Sequence, residues 1–279
     1  MKSRNTAPRS MSAIALPGLV DPHDLADDRQ FSMNLARGME VLRAFTADTP
    51  VLGNRDISDR TGLPKATVSR LTYTLTLLGY LSRDMALQKY RLGPGVLSLG
   101  HPLLASMQVR QLAKPMMETL ARKTGCTVNL GVRDRASVVY VDSVRADRAN
   151  SHLPDIGTTR PLLASSIGRA LILASPPAEC TAIVNYLKVH DPGQFDAHRE
   201  AFEHNRKLFA SEGYCMALGE WRKEIHAVAL PIGHRPGDPA LAMNCSLYSH
   251  RAAEDKLVRV VVPLLKDAVR ELEEAMRIR

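Results

Sequence analysis

Apolar positions recur at spacings of three and four along Gly53 to Leu78 (GNRDISDRTGLPKATVSRLTYTLTLL), and the recurrence breaks once, at Gly62-Leu63-Pro64. Before the break Ile57 and Thr61 share a helical face; after it Val68, Leu71, Leu75 and Leu78 form one stripe. Gly62 can take the positive φ that ends a helix, and Pro64 suits a first helical turn, where its missing N–H costs nothing. Ser58 is small enough for a second helix to cross close by. This is the spacing of a helix-turn-helix. Lys65, Thr67, Ser69, Arg70 and Tyr73 avoid the stripe. They fall on the helix that enters the major groove in such motifs, where these side chains meet phosphates and base edges.

An earlier helix is predicted over 31–46, with Leu35, Met39, Leu42 and Phe45 inward and Ala36, Gly38 and Ala44 small enough for close packing, including against a partner subunit. After the second helix of the motif, Tyr80-Leu81 and Tyr90-Leu92 predict a two-stranded wing that turns at Met85-Ala86-Leu87. Arg83, Lys89 and Arg91 are placed on it for phosphate contact, and the same charges also protect an exposed sheet edge. Pro94 to Met107 predicts a linker helix interrupted by glycine and Pro102. A helix over 109–124 follows, with Leu112, Met116 and Leu120 inward and Gly125 as terminator.

The period then changes. Residues 126–132 and 137–144, joined by a turn at Arg133-Asp134-Arg135, alternate as half-buried strands, as do 225–232 and 241–248. Helices are predicted over 166–174, 180–186 and 197–211. A last one over 256–276 has Val260, Val261, Leu264, Leu265, Ala268, Leu272 and Met276 inward. Strand pairs at both ends with helices between them predict an α+β domain on an antiparallel sheet. The domain expectation is a disordered arm at 1–30, a DNA-binding domain at 31–93, a linker helix at 94–108 and an effector-binding and oligomerisation domain at 109–279.

Composition adds little to this picture. The 279 residues suffice for two domains, and the net charge is +8. Between 31 and 100, nine Lys and Arg stand against five Asp and Glu, a balance that permits nucleic-acid binding without showing it. No apolar run approaches the roughly 20 residues of a membrane span. Met11 to Val20 mimics a signal peptide, but it is short and broken by Pro17-Gly18, so a cytoplasmic protein is expected. Cys126, Cys180, Cys215 and Cys245 are scattered with no CxxC, so neither disulfides nor a metal is expected.

Several segments in order carry a family resemblance: SMNLARGMEVLRAF, ISDRTGLPKATVSRLTYTLTLLGYL, YRLGPGVLSLG, TGCTVNLGVRD, IGTTRPLLASSIGRALI, EGYCMALGEW, AVALPI and NCSLYSHR. The chain resembles the IclR family of bacterial transcription regulators from about Phe31 onward. The resemblance implies a winged helix-turn-helix, a helical linker and a GAF-like effector domain, working as a dimer or dimer of dimers on a palindromic double-stranded operator. SSIGRALI and the late Asn-x-Ser are similar to the Pca/Pob-type branch that controls aromatic-acid catabolism. The resemblance also implies an effector pocket between the sheet and residues 156–168, with Leu163, Ser165, Ser166, Gly168, Ala217, Ala227, Asn244 and Ser246 near the ligand. Where certain small-acid binders carry an Asp and a Cys, this chain has Ala217 and Ala227, which implies a roomier, more apolar pocket.

Physical reasoning supports part of that site. Ser165 and Ser166 precede a helix whose free N–H groups can hold the carboxylate of a small organic acid. Arg160 or Arg169 can add charge-assisted hydrogen bonds. The plainer alternative is that Ser166 caps the helix and the arginines are solvated. Asn244 and Ser246 share one strand face. Trp221, the single tryptophan, is open to three placements: pocket, subunit interface or core. No catalytic motif is present: there is no GxSxG, phosphate loop, HExxH or dinucleotide glycine pattern, and His198 and His204 are six apart. No cofactor is expected. An effector-responsive regulator is the leading expectation; a DNA binder without a ligand and an enzyme with an accessory DNA-binding domain are the alternatives.

Overall fold

The computed structural model describes residues 18–145, 155–235, 238–251 and 254–278. They divide into two compact units, Asp21–Met107 and the part from Gln108 onward together with 18–20. Most of the expected arm, residues 1–17, lies outside the described residues. Residues 18–30 differ from a free chain: Leu19 packs on the core of the second unit, Pro22–Leu25 forms a 3-10 turn, and the Gln30 N–H donates to Asp28 Oδ1 at 2.8 Å. Proline and aspartate supply the turn chemistry here.

In the first unit α1 spans Met33–Arg43, α2 Asn54–Thr61 and α3 Lys65–Leu77. The wing is β1 (Leu81–Asp84) paired antiparallel with β2 (Lys89–Leu92), and Leu52 adds one bridge to Tyr90. The core gathers Val41, Ala44, Phe45, Leu52, Ile57, Val68, Leu81 and Tyr90. Gly62 has φ 69° and donates its N–H to the Ser58 carbonyl at 2.9 Å. A Cβ there would meet open space, so the positive φ alone explains the glycine. Ser58 does more than stay small: its hydroxyl donates to the Leu63 carbonyl at 2.6 Å and ties the turn. Pro64 sits one residue before the expected first turn, as the extended N-cap of α3.

Three helices of this unit differ from expectation. On α1, Leu35 is 66% and Met39 45% exposed, while Val41, Ala44 and Phe45 are buried. Two apolar lines compete on this short helix, and the core takes the one that continues past its end. On α3, Leu78 is exposed and Thr72 is fully buried; its hydroxyl donates to the Val68 carbonyl at 2.9 Å, which makes burial tolerable. The linker helix α4 runs unbroken over Pro94–Ser106, through Gly100 and Pro102. It buries no residue, so water can replace the donor that Pro102 removes.

In the second unit α5 spans Gln108–Thr124, and its buried line is Val109, Ala113, Met117, Leu120, Ala121 and Thr124 rather than one through the exposed Leu112. The strands are β3 (Thr127–Asp134), β4 (Ser137–Val144), β5 (Thr159–Pro161), β6 (Cys215–Leu218), β7 (Ile225–Ile232) and β8 (Leu241–Tyr248). They form an antiparallel sheet in the order β5-β4-β3-β8-β7-β6. The β3–β4 turn is Arg135-Ala136, with Arg135 at φ 54°; Arg133 and Asp134 belong to β3. Edge strands β5 and β6 are too short to show a period.

Helix α6 (Ser166–Leu173) covers one face of the sheet, backed by α7 (Pro177–His190) and α8 (Pro192–Glu212). α5 and a C-terminal helix (Val262–Ala275) cover the other. A π turn over Leu257–Val261 precedes that last helix and shifts its phase. Leu257, Val261 and Val262 turn inward and the expected Val260 turns out, 44% exposed. With both faces covered, β8 is buried almost throughout. The four cysteines are free thiols, and no helix among the described residues is long and apolar enough to cross a membrane.

Candidate DNA-reading surface and ligand pocket

The predicted face of α3 is the exposed one. Lys65, Ser69, Arg70 and Tyr73 are exposed and Thr67 is half-buried, while Val68 and Thr72 anchor the opposite side. Arg60 fixes the motif from behind: one guanidinium nitrogen donates to the Ala44 carbonyl at 2.8 Å and to Thr49 Oγ1 at 2.7 Å. On the wing, Arg83 donates to Gln88 Oε1, Arg91 pairs with Asp84 at 2.9 Å, and Lys89 lies 3.9 Å from Asp56. The N–H of Leu87 holds the Asp84 carboxyl below its usual range, helped by the Ala86 N–H and Arg91. The wing's basic residues are thus exposed but shared with protein partners, which limits how far each can extend toward a phosphate.

The second unit holds a cavity of about 70 Å³, room for several waters. Of the residues expected there, Arg160, Ser165, Ser166, Ala217, Trp221, Ala227, Asn244 and Ser246 line it. Three do not, and each has a packing reason. Leu163 is fully buried in the core beneath. Gly168 lies where α6 crosses the preceding segment, and a Cβ would sit 2.2 Å from the Leu162 carbonyl oxygen. Arg169 points the other way: Nε donates to the Leu163 carbonyl at 2.7 Å, and one terminal nitrogen donates to the Met216 carbonyl at 2.9 Å and to Glu220 Oε1 at 2.8 Å. It is a buried brace for the segment that carries Ala217 and Trp221, and it is not among the residues that line the cavity.

Ser165, not Ser166, is the N-cap of α6. Its oxygen accepts the Gly168 N–H at 3.2 Å and its hydroxyl donates to the Pro161 carbonyl at 2.8 Å. Ser166 is therefore the first helical residue, and its Oγ is buried in the cavity lining without a hydrogen-bond partner. At the rim, Trp221 is stacked by two guanidinium groups, Arg160 at 3.9 Å and Arg222 at 4.5 Å from the ring centroid. Tyr140, Ala164, Arg222, Glu224, Ile225 and Tyr248 also line the cavity and were not anticipated. Strand alternation carried a signal for two of them, since Ile225 and Tyr248 lie two residues from Ala227 and Ser246. Burial raises the Tyr140 phenol to about 12, against the opposing pull of Arg160 and the Asn244 amide. Among the described residues, no group of three His, Cys, Asp or Glu is placed to hold a metal ion.

A winged helix-turn-helix in one chain with a sheet domain that encloses a partly polar cavity defines the class: transcription regulators with a separate sensing domain. Known proteins narrow the class. The family pattern described as IclR helix-turn-helix domain matches residues 34–85, and that of the bacterial transcriptional regulator IclR C-terminal matches 101–274. The chain belongs to the IclR family of transcription regulators. It is similar to an IclR-family regulator from Brucella abortus of solved structure (39% identity, TM-score 0.83, covering 89% of this chain and 94% of that one). It is also similar to the Pca regulon regulatory protein of Pseudomonas putida (29% identity over 273 residues, 94% of this chain and 91% of the relative). A third similar protein is an IclR homologue from Microbacterium hydrocarbonoxydans complexed with 4-hydroxybenzoate (26% identity, TM-score 0.64, covering 88% and all of that chain).

Proposed function

We propose that this regulator binds a small organic acid, most simply an aromatic one, in the cavity at the start of α6, and that occupancy alters how its α3 helices read a palindromic operator. The observation that carries this is Ser166: a buried hydroxyl without a partner, in the first turn of a helix whose leading N–H groups have no intrahelical acceptor, inside a cavity rimmed by Arg160 and Trp221. That arrangement suits a carboxylate on an otherwise apolar body. The similar protein complexed with 4-hydroxybenzoate and the similarity to a Pca regulator favour the aromatic class.

In this reading Lys65, Thr67, Ser69, Arg70 and Tyr73 contact bases and phosphates, and Arg83, Lys89 and Arg91 steady the wing on the backbone. The protein acts in the cytoplasm as a dimer or dimer of dimers, without a cofactor and without catalysing a reaction. Self-association is supported by apolar side chains left exposed on α1 (Leu35, Met39) and α4 (Leu97, Leu99, Leu103). Effector control requires that the acid bind one arrangement of the regulator better than the other. A thermal-shift screen of aromatic and aliphatic acids tests the reading: a ligand at a hundred times its Kd stabilises the native state by about 2.7 kcal/mol. No stabilisation by any acid at millimolar concentration rejects it.

A further inference from the structure

A chain of hydrogen-bonded side chains runs across three adjacent strands and ends at the cavity. Ser143 on β4 lies opposite Asn129 on β3, which lies opposite Asn244 on β8. The Ser143 hydroxyl donates to Asn129 Oδ1 at 2.8 Å, and Asn129 Nδ2 donates to Asn244 Oδ1 at 2.9 Å. Asn244 lines the cavity, as does Tyr140. Both amides are buried. Tyr140 reaches this face because the pairing slips between Leu130 and Gly131, so Tyr140 and Ser143 share the cavity side although three residues apart.

An amide carries one acceptor oxygen and one donor NH₂. The Asn129 oxygen is engaged by Ser143, and the Asn244 oxygen by Asn129. Asn244 therefore keeps its NH₂ for the cavity that it lines. The Tyr140 phenol, raised to about 12 by burial, keeps its proton at neutral pH and lines the same cavity. The N–H groups of the first turn of α6 add further donors.

We infer that Asn129 is a specificity-determining positioning residue: it fixes the direction of the Ser143–Asn129–Asn244 chain, so that Asn244 presents its NH₂ to the cavity and selects a ligand oxygen that only accepts, as in a carboxylate, over a group that also donates. This rests on the reading of the cavity as an organic-acid site and names the feature that selects the acid. Asn129 does not line the cavity; it acts through Asn244.

The test compares 4-hydroxybenzoate with 4-hydroxybenzamide, which share a ring and differ at the acceptor-only group, by titration against Trp221 fluorescence and calorimetry. Asn129→Asp presents only acceptors to its neighbours, so Asn244 turns its NH₂ toward the new carboxylate and its oxygen toward the cavity. The expected result is a loss of carboxylate affinity of roughly tenfold or more, the scale of one hydrogen bond to a charged group, with a smaller loss for the carboxamide. Ser143→Ala removes no buried volume of consequence and adds no charge, but frees the Asn129 amide to turn; it lowers the same carboxylate-to-carboxamide ratio by at least about threefold, a fraction of that hydrogen bond, and carries the test if the Asn129→Asp variant does not fold. A folded variant that weakens both probes alike, leaving the ratio unchanged, assigns Asn129 a structural role and overturns the inference while the pocket reading stands. A wild-type protein that binds no organic acid at all overturns both.

Discussion

Arg169 offers the sharpest test of how the pocket wall is held. It is fully buried, and it joins the α6 interior to the Leu163 carbonyl, the Met216 carbonyl and Glu220, whose side chain is 24% exposed. Arg169→Met keeps the length of the side chain and removes every donor. Removing one member of a buried pair costs about 3–5 kcal/mol. Glu220 keeps some access to water and can rehydrate, so the lower end, about 3 kcal/mol, is expected. For a domain of this size that is a fall of roughly 6–12 °C in the melting temperature of the second unit, read by scanning calorimetry. The same change frees the segment that carries Trp221, so its emission should move to longer wavelength and the affinity for the acid should drop. A loss below about 1 kcal/mol, the range of an exposed ion pair, with unchanged Trp221 emission would refute the role of Arg169 as a brace.

Other outcomes follow from the same geometry. Arg70→Ala should abolish operator binding in a gel-shift assay and leave acid binding intact, since Arg70 is exposed on α3 and no part of the cavity. Gly168→Ala should destabilise the second unit by about 3 kcal/mol or more in urea unfolding, because the new methyl lands on the Leu162 backbone. Gly62→Ala places alanine at φ 69° and should cost the first unit about 1–2 kcal/mol without steric clash. The Tyr140 phenol has a folded pKa near 12, above the value of about 10 for an unfolded tyrosine. Its contribution is therefore complete below pH 10 and lost as pH rises toward 12; Tyr140→Phe should flatten that alkaline part of a stability–pH curve.

The helix-turn-helix was legible because its constraints are local: a glycine at positive φ, a proline beside it and a polar helix face within one short stretch. The strands β3, β4, β7 and β8 were legible because they are long enough to alternate. Helix faces were less so. On α1 and α5 several apolar residues compete, and the choice between Leu35 and Val41, or Leu112 and Ala113, depends on what packs opposite. Small residues such as Ala113, Ala121 and Thr72 fill core positions that a count of large apolar side chains passes over. The pocket was legible where a strand face or a helix start defined it, as at Asn244, Ser246 and Ser166. Arg169 was misplaced because sequence cannot show that its charge is met by Glu220, fifty-one residues away. Tyr140 was missed because the β-bulge beside it breaks the alternation that would have placed it.

The central claim is that the cavity controls the α3 surface. Fluorescence anisotropy with an operator fragment selected from genomic DNA tests it most directly, with and without the best acid from the thermal-shift screen. The wild-type protein should change its operator affinity at least about fivefold on adding the acid, the lower end of typical allosteric coupling. Ser166→Ala with Asn244→Ala should bind the operator as the wild type does and ignore the acid. An acid response that survives unchanged in that double variant would contradict the account.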